Sequence, residues 1–298
     1  MNNSLMPSSL DDYFKYWDEF FKNWKEIACK QKSEPDREKA WKEKYTPDEL
    51  HFNYPVDILN SEKEPENKPT FNYIPEPYWG WTPRNGHELK VVVVNYNPGL
   101  AENNQHISVI KNEDFDYQKY VKNQIGEYYG DSKADNRMGV RQYKTSNWHE
   151  VNRAKPLSDI FTDWQNSHKE PLKYYLGIEL VPWHTKGTKD LQKYFTNNKS
   201  AIIKWSLNFA FQACKKIESG PFQNTVIFRL SHKSDRTGLL KSLLNLKSKQ
   251  ESNKIHKKDN ESYYISSIGG VKIICLTGTR NNLPSIEFIN KAVIDKEV

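Results

Sequence analysis

The sequence predicts an α/β fold, built on a mostly parallel sheet with helices on both faces. Three observations carry that expectation. Strand-like and helix-like segments alternate from residue 91 to the end of the chain. The most apolar strand-like segments, Val91-Val92-Val93-Val94 and the run around Leu176 to Val181, show no polar alternation. Strands buried on both faces need that pattern. The length of 298 residues suits one large α/β domain or two small ones.

The first element is a helix over 11–28. Tyr13, Trp17, Phe20, Trp24 and Ile27 recur at three- and four-residue steps, with Lys and Glu between them, so one face is apolar and lies on the core. Residues 30–70 are charged and broken by prolines, and read as an irregular arm. Together 1–70 form a helical N-terminal extension packed on a core domain of 71–298. The turn-rich YIPEPYWGWTPRNGHELK leads into the valine strand. Helices are expected at 115–129 and 156–166, with a polar, basic segment between them. The second strand lies within KYYLGIELVPWHT, residues 173–185. A helix at 200–217 presents Ile203, Leu207, Ala210, Cys214 and Ile217 on one face. The strand NTVIFRL follows, then a loop and short helix, SHKSDRTGLLKSLLNL, and a lysine-rich excursion over 247–260. Residues 262–276 read as a hairpin turned at Gly269-Gly270. A helix through Ile286, Ile289, Ala292 and Val293 closes the chain.

Composition narrows the function classes. Hydrophobic residues make up 36% and aromatic residues 13%, so rings supply much of the buried area. A net charge of +6 suits a polyanionic partner. Cys29, Cys214 and Cys275 are far apart and form no CxxC, which argues against a disulfide framework or a cysteine-built metal centre. His106, His149, His184 and His232 show no ligand spacing. No metal and no cofactor is expected. The N-terminus lacks a secretory pattern, and no run approaches the roughly 18 apolar residues of a membrane span. A cytoplasmic monomer without membrane contact is the expectation.

In parallel sheets ligands bind beyond the carboxyl ends of the strands. Four segments therefore matter: NYNPG, VPWHT, SHKSD and TGTRNNLPS. In the first, Pro98 holds Asn97 extended, and Gly99 lets backbone turn or approach a ligand. The amide of Asn97 can accept from water and donate to a ligand at once; it can equally cap its own turn. In the last, Arg280, Asn281 and Asn282 crowd donors beside a helix that begins at Pro284-Ser285. Donors at a helix N-terminus favour a phosphate or a developing anion. A polar loop with a capping serine is the plainer alternative.

An early strand ending in Asn97-Pro98-Gly99, then GIELVPWHT, then a last strand closing on Arg280-Asn281-Asn282-Leu283-Pro284-Ser285, resembles the uracil-DNA glycosylase superfamily, and within it the mismatch-specific uracil/thymine branch. The likeness covers roughly 71–295 by order of elements. Asn95 stands where that branch has a glycine, and the last motif differs in spacing. The resemblance implies a three-layer α/β/α domain around a mostly parallel four-stranded sheet. It implies that Asn97 positions the attacking water, and that Phe115 or Tyr117 stacks on the extruded base. It also implies that the chain from Glu179 through Trp183 to His184 reads the base edge. The loop with Arg280, Asn281 and Asn282 would steady the leaving base or grip a phosphate. Asn95, Tyr96, Pro98, Gly99 and Ser285 complete the expected substrate site, with Asn97, Asn281 and His184 as its catalytic members.

The chemistry fits those residue types. Breaking an N-glycosidic bond builds positive charge on the sugar and negative charge on the departing base. Donors aimed at that base lower the barrier, each worth ~3 kcal/mol. Asn97 is a poor general base, so a dissociative reaction with a good leaving group is expected. Lys233 and Arg236 in one basic stretch, and Arg141 and Lys144 in another, are candidates for phosphate contacts. Single- or double-stranded DNA, including modified viral DNA, is therefore the expected partner. The superfamily includes an anti-phage glycosylase that excises glucosylated hydroxymethylcytosine, and the long segment from 100 to 172 leaves room for a large base; uracil and damaged bases are the other candidates. A catalytically silent nucleic-acid-binding module of the same fold is the alternative, and a nucleoside hydrolase a third class.

Overall fold

The protein is described by a computed structural model over residues 9–45, 75–83, 87–95, 157, 174–183, 201–229, 253–258, 261–277, 283 and 285–294. Its N-terminal helix α1 spans Leu10–Lys30. Ser9 caps it: the Ser9 hydroxyl oxygen accepts from the Asp12 amide at 3.2 Å. Asp11 and Asp12 sit in the first turn and Lys30 in the last, each matching the helix dipole. A second helix, α2, spans Glu34–Lys44 inside the segment expected to be irregular. Its proline is Pro35, in the first turn, where a missing N–H costs nothing. Ser33 caps it in the same way as Ser9. Arg37 closes the corner by donating to the carbonyls of Gln31 and Lys32, both at 3.2 Å. On the outside, Glu26 meets Lys30 at 2.6 Å and Lys44 at 2.8 Å, and these cations hold its carboxyl down at about 2.

The strands are β1 (Tyr78–Gly80), β2 (Val91–Asn95), β3 (Tyr175–Glu179), β4 (Thr225–Arg229), β5 (Asn253–Lys258), β6 (Glu261–Ile268) and β7 (Val271–Thr277). They form one seven-stranded mixed sheet in the order β1-β3-β2-β4-β7-β6-β5. The four inner strands β3, β2, β4 and β7 run parallel to one another. The sheet is thus wider than the expected four strands. Antiparallel β1 is added at one side, and β6 and β5 at the other. Every residue of β2, β3 and β4 is buried, as unalternating apolar runs require. The β6–β7 turn falls on Gly269 and Gly270, with φ of 55° and 78°. Both are left-handed, the geometry a two-residue hairpin loop needs.

Two further helices, α3 (Ala201–Cys214) and α4 (Ile286–Ile294), cover the sheet. Register assigns the faces. Tyr78 pairs with Ile178 and Ile178 with Val94, so these share one face. There Tyr78 meets Phe14 of α1 with ring centroids 4.8 Å apart, and Tyr13 stacks on Phe209 of α3 at 3.5 Å. On the opposite face Lys272 donates to the Val293 carbonyl of α4 at 2.8 Å, and Tyr263 packs on Phe288. The aromatic stripe of α1 expected from spacing, Tyr13, Trp17, Phe20, Trp24 and Ile27, is buried in full and joins the same core as the sheet.

Among the described residues, Gly177 is a strand position where an added Cβ would crowd a neighbouring ring. The Tyr175 ring lies along its own strand, and a Cβ on Gly177 would sit 2.8 Å from both Cε1 and the hydroxyl of Tyr175. Tyr175 is itself fully buried and has little room to yield. Gly177→Ala should therefore destabilise the fold by ~1–3 kcal/mol, read as a lower urea midpoint with an unchanged m-value. An unchanged midpoint would mean that Tyr175 moves freely.

Candidate functional site

The inner strands turn polar at one end. Asn95 is the last residue of β2 and stands in register with Glu179, the last residue of β3. One step past the paired Val94 and Phe228, Asn95 and Arg229 come next on β2 and β4. In-register residues of parallel strands point to the same face, and adjacent strands lie ~4.8 Å apart. Glu179, Asn95 and Arg229 therefore form a row at the carboxyl edge, with the amide between an acid and a guanidinium. All three are buried: 1%, 6% and 4% exposed. Buried charged and polar groups are costly unless compensated, and this row sets two charged side chains and an amide side by side at the ends of three strands.

A fourth buried polar group borders the row. Glu76 precedes β1, and its backbone N–H donates to the Pro182 carbonyl at 2.7 Å. The Glu179 amide donates to the Pro77 carbonyl at 3.1 Å, and the Leu180 amide to the Asn95 carbonyl at 3.1 Å. The end of β3 is thereby laced to both neighbours. Burial pushes the Glu76 carboxyl up to about 8, and the Trp79 indole N–H, 3.2 Å from Oε2, pulls it partly back. At neutral pH Glu76 is mostly the neutral acid. Burial also raises the Tyr13 hydroxyl; Trp17 and Ser206 oppose that shift, and the Glu179 carboxylate adds to it.

The expected site residues divide sharply. Asn95 and Glu179 come together at the strand ends, as described. Trp183, expected to line the substrate site, is fully buried among Phe20, Trp24 and Trp41, with centroids 6.0, 5.3 and 5.6 Å away. Its ring serves the core, because α1 and α2 occupy the space around it. Ser285 is exposed, and its carbonyl accepts from the Ile289 amide at 3.0 Å in the first turn of α4. Tyr96, Asn97, Pro98, Gly99, Phe115, Tyr117, Arg141, Lys144, His184, Lys233, Arg236, Arg280, Asn281 and Asn282 lie outside the described residues. The expected helix at 115–129 lies outside them too, and of 156–166 only Leu157 is described.

Sequence reasoning passed over Arg229 and Glu76. Arg229 was visible as the charge that ends the apolar run VIF; Glu76 stands between two prolines and reads as a loop residue. Among the described residues no cluster of His, Cys, Asp or Glu is arranged to hold a metal. None of the three cysteines is in a disulfide. Burial raises the thiol of Cys214 to about 12 and that of Cys275 well above its ordinary value, so neither is a nucleophile. Among the described residues no helix is long and apolar enough to cross a membrane. The chain matches no family model, no curated protein and no solved structure.

The Glu76 carboxyl sets a pH dependence. In the unfolded chain it loses its proton near 4.5, whereas in the fold it keeps it to about 8. Between those values the folded state binds more protons, so stability falls as pH rises, by ~1.4 kcal/mol per pH unit for this group. Glu76→Gln, which cannot ionise, should lack that loss. Urea unfolding should show the variant gaining on the wild type by on the order of 3 kcal/mol between pH 5 and pH 8. Parallel pH profiles for the two proteins would refute the assignment.

Proposed function

We propose that this chain is a monofunctional DNA glycosylase that hydrolyses the N-glycosidic bond of an everted base and leaves an abasic site. The observation that carries the reading is the way β2 ends. A strand buried throughout closes on Asn95, in register with buried Glu179, and the next residues are Tyr96-Asn97-Pro98-Gly99. Asn97 follows Asn95 by two residues, and two residues of chain span at most ~7 Å.

The topology adds a second support. β7 runs parallel to β2, with β4 between them. Their carboxyl ends, Asn95 and Thr277, thus share one edge of the sheet at a separation of ~10 Å, two strand spacings. The segment carrying Arg280, Asn281 and Asn282 begins directly after Thr277. The end of β4, Arg229, lies between Asn95 and Thr277, so the segments that follow β2 and β7 leave the sheet on either side of a buried guanidinium.

In this reading Asn97 orients the water, and the sugar carries positive charge as the bond lengthens. Donors from Asn281, Arg280 and His184 meet the negative charge that collects on the base. The buried row of Glu179, Asn95 and Arg229 is the floor beneath. The net charge of +6, with Lys233, Arg236, Arg141 and Lys144 among its sources, would hold the phosphate backbone. Glucosylated hydroxymethylcytosine in viral DNA, with antiviral defence as the role, is one candidate substrate; uracil or a damaged base in repair is the other.

Mass spectrometry of bases released from a panel of genomic and viral DNAs tests the proposal. The wild type should release one base type and leave alkali-labile abasic sites. Asn97→Ala should lower release by ~10²-fold or more, while DNA affinity by fluorescence anisotropy stays within a few-fold. Binding without any base released by the wild type would favour a catalytically silent DNA-binding module instead.

A further inference from the structure

The end of β3 is held from three sides. Leu180 donates to the carbonyl of Asn95, and the carbonyl of Pro182 accepts from Glu76. Trp183 is enclosed by Phe20 and Trp24 of α1 and by Trp41 of α2. The enclosing rings brace each other: Phe20 meets Trp41 at 4.9 Å and Trp24 meets Trp41 at 5.5 Å, all edge-on. Such edge-to-face aromatic contacts add specific geometry to plain burial. Trp183 directly precedes His184, and Leu180 directly follows Glu179. The four residues 180–183 therefore join the polar row to a wall made by the N-terminal helices.

The rest of α1 does something different. Tyr13 and Phe14 pack on Tyr78 and Phe209, and Tyr13 also packs on Trp205; these contacts tie α1 to β1 and α3 without involving Trp183. One helix thus carries two aromatic contacts, one to the scaffold and one to the segment that leaves the site, joined along α1 by Trp17.

We infer that the α1–α2 pair is a built-in brace for the site, with Trp24 and Trp41 as positioning residues that act through Trp183 on the segment from Glu179 to Trp183. The kinetic arm of its test rests on the glycosylase reading; the structural arm does not.

The full chain is compared as wild type, Trp41→Leu, Trp41→Phe and Phe14→Leu, the last being a lesion in the scaffold contact of the same helix. Hydrogen–deuterium exchange is followed on the amides of Leu180, Val181 and Trp183. Trp41→Leu should speed their exchange at least tenfold. Phe14→Leu should leave it within twofold at a matched loss of thermal stability, and Trp41→Phe should restore most of the protection. On the DNA from which the wild type releases most base, Trp41→Leu should lower kcat at least tenfold with KM within twofold, and Trp41→Phe should recover it.

Equal effects of Trp41→Leu and Phe14→Leu, or no effect of Trp41→Leu, would overturn the inference, as would a rise in KM with kcat unchanged. If Trp41→Leu does not fold, Trp24→Phe trims the same contact, and the same comparison is made at threefold. A wild type that releases no base sinks the glycosylase reading alone, and the exchange arm still decides the brace.

Discussion

A strand buried on both faces has nowhere along its length to carry polar chemistry. β2 and β3 obey that constraint through Val94 and Ile178, and both break it at the next residue, with Asn95 and Glu179 side by side. β4 is apolar from Val226 through Phe228 and turns charged at Arg229. The parallel arrangement aligns the three breaks, because strands that run the same way end at the same edge. Position, charge and burial at this edge are thus consequences of sheet topology. Helices on both faces and antiparallel strands at both margins protect the inner four strands and leave this edge as the place where their polar groups emerge.

Much of the fold could be read from residue pattern alone. The valine run, the period of Tyr13 to Ile27 and the Gly269-Gly270 turn each encode one local geometry, and the chain adopts it. The elements that went unread share a cause. α2 was masked by Pro35, whose place in the first helical turn makes it a start signal rather than a breaker. β1 has only three residues and sits among prolines. β5 is lysine-rich because it is the margin of the sheet, where charge discourages pairing with another chain. Short or marginal strands are specified by the neighbour they pair with, and no local period records that neighbour.

The site was legible in a similar, partial way. Strand ends could be found, and so the pairing of Asn95 with Glu179 at one edge was within reach. For Trp183 the resemblance points to the base edge, whereas a tryptophan after a strand more often fills the core than faces a ligand. What decides it is the aromatic wall of α1 and α2, more than a hundred residues earlier in the chain. Glu76 was invisible for another reason. A carboxyl between two prolines looks solvated, and only the packed surroundings of Trp79 and Pro182 make it a buried acid.

The aromatic layer has a practical consequence. Trp17, Trp24, Trp41, Trp183 and Trp205 are all fully enclosed, and they sit in one connected group of rings. Their shared emission is an optical gauge native to the chain. Trp79, Trp81, Trp148 and Trp164 also emit, so the change on perturbing this group is read as a difference from the unperturbed protein. When the N-terminal helices lift away, water reaches the indoles and the spectrum shifts to the red, without any added label.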